Sequence, residues 1–276
     1  MVIVDGATFL NHRKHFQSYT RIVHQTMKKK DLMKTNSWTH FHPEALHVRW
    51  SDSDNDILVH DYFSNFTFTY DKLVLTVQKT DFTRLLYMYL FGGVYADKDY
   101  NLRRPIFDYL EVSENPIHIL ESPFLINEVF QNSLMYSRYK HDLFFLQCMK
   151  NIKQIVNFID EGCNVSSSCN LIYLFKNPFT SSFVNLLLTQ YMTGPALLDK
   201  TFVQHNNHNI KLLDKQSFFD GPYGFHAQEN SWVTLVRTAL PIVTILLFMF
   251  TGLFACIFLS ITRKPYYETY SIINKL

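Results

Sequence analysis

The sequence predicts an α/β fold followed by one membrane-spanning helix. Three observations predict it. Short apolar strands alternate with stretches of helical periodicity along most of the chain. Two acids, Asp97 and Asp99, follow one of those strands just after a pair of glycines. A long uncharged run lies near the C-terminus.

The chain has 276 residues, enough for one domain of catalytic size and something small. Hydrophobic residues make up 47% and aromatics 16%, so a large core can form, which argues against disorder. Net charge is +2 and the basic residues form no stripe, which argues against a nucleic-acid partner. Lys28-Lys29-Lys30 is the densest basic run. It reads as a solvated helix start, with a phosphate site as the alternative. The four cysteines show no zinc spacing; Cys163 and Cys169 flank a polar loop and either pair or stay free.

The elements follow in order. Residues 21–25, RIVHQ, read as a short buried strand, and 31–42 as a short helix ending near Pro43. Leu46 to Trp50 is a second strand. Asp52 or Ser53 caps a helix over 54–64. The acids at 52, 54 and 56 lack the glycine and terminal glutamate of a calcium loop, so they read as a capping cluster. Val77–Leu90 is the clearest helix: Phe82, Leu85, Leu86, Tyr89 and Leu90 fall on one face. Gly92-Gly93 stops it. Val94-Tyr95-Ala96 is a strand, and Leu102 to Ile106 leads away from it. Further strands are expected at 117–120, 133–136 and 211–213. Further helices are expected at 141–160, at 179–191 and after Thr193-Gly194-Pro195.

Thr238 to Thr262 carries no charged residue and exceeds the roughly 20 residues that cross a bilayer as a helix. Arg263, Lys264 and Lys275 outweigh Arg237, which places the C-terminus in the cytosol and the preceding domain in the lumen. Asn65 and Asn164 would then be glycosylation acceptors. The expected organisation is a domain over 1–235, a transmembrane helix over 236–262 and a polar tail over 263–276.

Ligands of open α/β sheets bind beyond the carboxyl ends of strands. Asp97 and Asp99 stand at such an end, and hard carboxylate oxygens suit Mn²⁺ or Mg²⁺. A cation there stabilises charge on a departing diphosphate, so a nucleotide-sugar is the natural substrate. Asp81 and Arg84 are neighbours on the preceding helix. They are either a surface ion pair or groups that hold a sugar and its phosphate.

The stretch 78–106, QKTDFTRLLYMYLFGGVYADKDYNLRRPI, resembles the Asp-x-Asp region of glycosyltransferase family 32. RIVHQT at 21–26 is similar to that family's first strand, with Met27 where an aromatic is usual. HVRWSDSD at 47–54 resembles its second strand, TGP at 193–195 its Thr-Gly-Pro turn, and HAQENSW at 226–232 its closing element. The resemblance implies a GT-A-type, Rossmann-like nucleotide-sugar transferase domain that uses Mn²⁺ (or Mg²⁺) and retains anomeric configuration.

By resemblance, Asp97, Asp99, Asp81 and Arg84 carry the catalytic work. Asp99, Asp97 and His226 are the metal set. Donor contacts fall to His24, Gln25, Thr26, Trp50, Asp81, Arg84, Gly92, Gly93, Tyr95, Asp97, Ser231 and Trp232. His226 can equally be a structural histidine. The implied reaction moves mannose from GDP-mannose to a membrane lipid such as inositol phosphorylceramide, in the Golgi or another endomembrane, with a lumenal domain. Two alternatives stand beside it. One is a UDP-galactose or UDP-glucose transferase acting on a glycolipid or glycoprotein. The other is a catalytically silent sugar-nucleotide-binding membrane protein.

Overall fold

In strand β2 (Ile22–Thr26) side chains alternate between two apolar faces, and the whole sheet follows that period. The computed structural model describes residues 1–123, 129–165, 189, 191–205 and 209–227. Its other strands are β1 (Val2–Asp5), β3 (Leu46–Trp50), β4 (Gly93–Ala96), β5 (Tyr100–Leu102), β6 (Ile117–Glu121), β7 (Phe130–Ser137), β8 (Ile210–Leu213) and β9 (Gly224–His226). Seven of them form one sheet in the order β1-β3-β2-β4-β7-β6-β8, and β5 pairs with β9 in a second, two-stranded sheet. From β1 to β4 all pairings are parallel. β4 then meets β7 antiparallel. β4 is thus the strand where direction changes, and its carboxyl end is where the chain delivers Asp97.

Nine helices are described: α1 (Gly6–His12), α2 (Ser37–Phe41), α3 (Asp52–Tyr62), α4 (Thr67–Lys72), α5 (Thr76–Phe91), α6 (Phe107–Val112), α7 (Leu143–Val165), α8 (Pro195–His205) and α9 (Lys215–Phe218). They cover both faces, as the alternation of strands and helices requires. Ile22, Val48, Trp50 and Tyr95 pack against α1, α3, α5 and α7 on one side. Val23, Val94, Ala96 and Leu134 pack against α2, α6 and α9 on the other.

Helix α5 differs from an ordinary surface helix. Its apolar stripe is buried, and so are the polar residues Gln78, Asp81, Thr83 and Arg84. Gln78 bends back to accept from the Val74 and Leu75 amides, at 3.1 and 3.2 Å, and so closes the start of the helix. Gly92 and Gly93 end it with φ of 64° and 82°. A β-carbon at Gly93 would sit 2.5 Å from the Ile22 carbonyl oxygen. Only glycine fits there, which lets β4 start flush against β2.

Several expectations are adjusted. The cap of α3 is Ser51, whose hydroxyl accepts from Asp54 N while the Asp54 carboxylate accepts from Ser51 N at 2.8 Å. The helix expected over 31–42 is a turn at 29–31 followed by α2, because Asn36 caps the helix at Ser37. β1, α1, α4, α6, α9 and β9 have no counterpart among the expected elements. No helix among the described residues is long and apolar enough to cross a membrane. The uncharged run at 238–262, all but residues 189 and 191 of the helix expected at 179–191, and the side chains of Cys163, Cys169 and Cys256 lie outside the described residues, whereas Cys148 is a buried free thiol.

Three histidines are sealed in the interior: His24, His47 and His118. Burial pushes their pKa down to about 3, 4 and 4. They are neutral when folded and take up protons near pH 6.5 when unfolded. Stability is therefore fully present above about pH 6.5 and falls as pH drops toward 4. Denaturant midpoints of the full chain should hold level from pH 7.5 to about pH 6.5 and decline from there to pH 5; no decline below pH 6.5 would contradict the neutral, buried assignment.

Candidate functional site

The site begins at the end of β4. Period-two geometry puts Tyr95 and Asp97 on the same side, and the Tyr95 hydroxyl donates to Asp97 Oδ1 at 2.7 Å. The Asp97 amide donates to Ser133 O, and the Asp97 carbonyl accepts from Tyr100 N, closing a tight turn through Lys98 and Asp99. Gln25 on β2 donates to the same carbonyl at 3.2 Å. Asn36 donates to Gln25 Oε1 at 2.8 Å, and the Arg49 guanidinium donates to Asn36 Oδ1 at 3.2 Å. A relay of polar groups, buried at Arg49 and Gln25 and partly buried at Asn36, thus runs from β3 through the cap of α2 to the acidic turn.

From α5 comes Arg84, nearly sealed. One guanidinium nitrogen lies 3.0 Å from Asp81 Oδ1 and 3.4 Å from Asp97 Oδ1. The other donates to Asn132 O at 2.8 Å, and the guanidinium carbon sits 4.7 Å from the centre of the Tyr95 ring. Asp81 also accepts from Asn132 Nδ2 and from Thr193 Oγ1, each at 3.1 Å. The pair is therefore buried inside the domain, and the surface-pair alternative is set aside.

The two carboxylates on Arg84 differ electrostatically. Burial raises Asp81 to about 6, with Arg84 only partly opposing it. Burial also pushes Asp97 upward, but Arg84, His226 and Tyr95 together hold it below the usual carboxylate range. Asp81 is 5% exposed and Asp97 25%, so water assists the second and not the first.

His226 arrives from the far end of the described chain. β9 pairs with β5 so that His226 stands opposite Tyr100, one residue past Asp99. The Ala227 amide donates to Asp99 O at 2.9 Å, and the imidazole stacks on Phe219. His226 Nε2 is 3.5 Å from both Asp97 Oδ2 and Asp99 Oδ1. Burial lowers its pKa, but Asp97 and then Asp99 outweigh that and leave it raised. One ligand atom from each of Asp97, Asp99 and His226 lies within 4.8 Å of the others. Two carboxylate oxygens and an imidazole nitrogen at that spacing fit a divalent cation.

The structure thus brings Asp81, Arg84, Tyr95, Asp97, Asp99 and His226 together. Gln25 supports the acidic turn from behind. Thr26 ends β2 beside Trp50 and is partly buried. His24 and Trp50 lie in the core: Trp50 Nε1 donates to His24 Nδ1 at 3.2 Å, and the other ring nitrogen meets Gly92 O at 3.1 Å. Gly92 and Gly93 shape the backbone ahead of β4. Ser231 and Trp232 lie outside the described residues. Asn132, Asn36 and Arg49 escaped the sequence reading. Nothing local marks Asn132, which reaches Asp81 only because β7 pairs with β4. Thr193 was visible only as part of a turn.

Residues 28–122 match the family described as "Glycosyltransferase sugar-binding region containing DXD motif", which takes in Asp81, Arg84, Asp97 and Asp99. Two proteins of Schizosaccharomyces pombe (strain 972 / ATCC 24843) are similar in sequence. Inositol phosphoceramide mannosyltransferase 3 is 25% identical over 91 residues, covering 31% of this chain and 26% of that protein. Inositol phosphoceramide mannosyltransferase 1 is 21% identical over 262 residues, covering 87% and 72%. The matched part is thus about a quarter of the first relative's length. Among solved structures, "PaToxG Glycosyltransferase" superposes with a TM-score of 0.43 at 11% identity over 72% of this chain and 77% of its own, too loose to carry an argument. The DXD region and the two relatives are consistent with a family 32-like glycosyltransferase.

Replacing Arg84 separates the buried charges. Arg84→Met leaves Asp81 and Asp97 without their shared cation and should cost about 3–5 kcal/mol. Asp81→Asn removes a carboxylate that burial already disfavours. It should leave stability at pH 7 within about 1 kcal/mol of the parent, or raise it. Denaturant unfolding of both variants checks the contrast; equal losses would contradict it.

Proposed function

We propose that this chain, a glycosyltransferase by its DXD region, moves a hexose from a nucleotide-sugar to a membrane lipid in a divalent-cation-dependent, retaining reaction. Mannose from GDP-mannose is the favoured donor, and a phosphorylated inositol ceramide the favoured acceptor. The observation that carries the metal-dependent reading is the convergence of Asp97, Asp99 and His226 on one point beside the Asp81–Arg84 pair. The two similar mannosyltransferases support the choice of sugar and lipid.

Asp97, Asp99 and His226 would hold the cation, Mn²⁺ or Mg²⁺. When bound, it supplies Lewis-acid stabilisation of negative charge on the departing diphosphate. The protein's own groups do the rest. Asp81 is fixed by three hydrogen-bonding neighbours and offers carboxylate lone pairs to sugar hydroxyls. Arg84 fixes the distance between Asp81 and Asp97, so sugar and diphosphate are held in one geometry. Tyr95 keeps Asp97 in one rotamer. Retention then asks for orientation more than for a strong base: the acceptor hydroxyl attacks from the face the diphosphate leaves, the bond from sugar to diphosphate breaks, and the hydroxyl proton passes to the departing phosphate oxygen. The domain lies on the lumenal side of an endomembrane such as the Golgi, anchored by the run at 238–262.

Purified full chain should convert GDP-mannose and inositol phosphorylceramide to the mannosylated lipid only with Mn²⁺ or Mg²⁺. Asp97→Ala and Asp99→Ala should each lower kcat/KM at least about 100-fold. Turnover of UDP-galactose or UDP-glucose in place of GDP-mannose would reassign the donor. Variants that match the parent in both transfer and metal-dependent donor binding would overturn the assignment of the acids, and a parent that turns over none of these donors would overturn the enzymatic reading.

A further inference from the structure

The basic run Lys28-Lys29-Lys30 takes no part in the site described above, yet the fold sets it beside that site. It opens the connection between β2 and α2, in which Lys28, Lys29, Lys30 and Lys34 are all exposed. Leu32 is buried and pins this loop to the domain. Met33, next to it, is 57% exposed, a large apolar side chain in water among four lysines.

A fifth exposed lysine joins them from another element. Lys98 is the tip of the acidic turn, between Asp97 and Asp99. The hydrogen bonds through Gln25 and Asn36 tie that turn to the end of the lysine loop. Asp31 is the acid within the loop, and Lys34 holds it at 2.5 Å. Lys34, and beyond it Lys30 and Lys98, keep the Asp31 carboxyl below its ordinary value, so the two loops share one field. The Asp97 and Asp99 carboxylates have other cationic neighbours, Arg84 for the first and His226 for both.

Five exposed lysines on two neighbouring loops, with an exposed apolar side chain among them in sequence, suit a flat anionic surface. The ammonium groups meet lipid phosphates while Met33 enters the interface between them. A soluble nucleotide is a poorer fit, since these side chains are exposed and not buried around a common point. A nucleic acid would call for interleaved aromatics, and the loop has none.

We propose that the loop 27–35, together with Lys98, is a docking surface for an anionic lipid membrane. Docking there faces the Asp97–Asp99 turn toward the bilayer, where a lipid-borne acceptor is presented without leaving it. The inference rests on charge and exposure, and it holds whichever sugar is transferred.

The test uses the full chain carrying Met33→Trp, reconstituted in vesicles with bromine-labelled acyl chains, against the parent reconstituted alike. In vesicles containing phosphatidylinositol, quenching of the introduced tryptophan should be at least about 3-fold stronger than in purely zwitterionic vesicles. High salt should abolish the difference. So should Lys28→Glu, Lys29→Glu and Lys30→Glu combined, and the corresponding glutamine variant should weaken it in case charge reversal disturbs folding. Equal quenching in both vesicle types, or none in either, would overturn the proposal. So would loss of the anionic-lipid effect with added inorganic phosphate at constant ionic strength, which would assign the lysines to a soluble anion.

Discussion

A single buried guanidinium organises the site. Arg84 lies on a helix whose polar and apolar sides are both covered, and it touches two carboxylates from different elements. Two acids buried at that separation repel one another and resist ionisation unless a cation stands between them. Arg84 supplies it, and the consequences spread outward. Asp97 is held ionised, so His226 has a carboxylate to approach. Asp81 is locked against Asn132 and Thr193, which fixes α5 to β7 and to the start of α8. Such an arrangement is weak evidence for stability, because the desolvation of three charges opposes their attraction. Its plainer consequence is positional: the groups cannot drift apart without exposing an unpaired charge to the interior.

The fold places this cluster where the sheet changes direction. β4 has a parallel neighbour on one side and an antiparallel one on the other, so its carboxyl end lies where the strand pattern of the sheet changes, the kind of place where α/β sheets bind ligands. The second sheet then serves a narrow purpose. Three residues of β9 against three of β5 are enough to bring an imidazole from residue 226 to the acids at 97 and 99. With it the acidic turn becomes a three-donor set fit for a cation.

Much of the scaffold was legible because its signals are local. The helix before the glycines shows its apolar face in spacing alone, and β2, β3 and β4 are short runs rich in β-branched and aromatic residues. The two glycines were read as a stop, and their positive φ values agree. Other parts carry no local signal. β1 is only Val2-Ile3-Val4-Asp5, and its strand character comes from pairing with β3. β9 exists because β5 is there to receive it. The stretch 31–42 looked helical throughout, yet Asn36 prefers to cap, and its side chain is also needed by Gln25 and Arg49. Within the site, the acids and Arg84 were visible in sequence as a motif. Asn132 and the Arg49 relay were not, since tertiary placement alone gives them partners.

The central claim is that Asp97, Asp99 and His226 form one cation site beside the Asp81–Arg84 pair. The most direct measurement is an anomalous difference map from crystals of the full chain grown with Mn²⁺ and a nucleoside diphosphate. The account predicts its strongest peak among Asp97 Oδ2, the Asp99 carboxylate and His226 Nε2, with the diphosphate against it. A strongest peak elsewhere, at the Asp52–Asp56 cluster for example, or a bound diphosphate with no metal at these three residues, would contradict it.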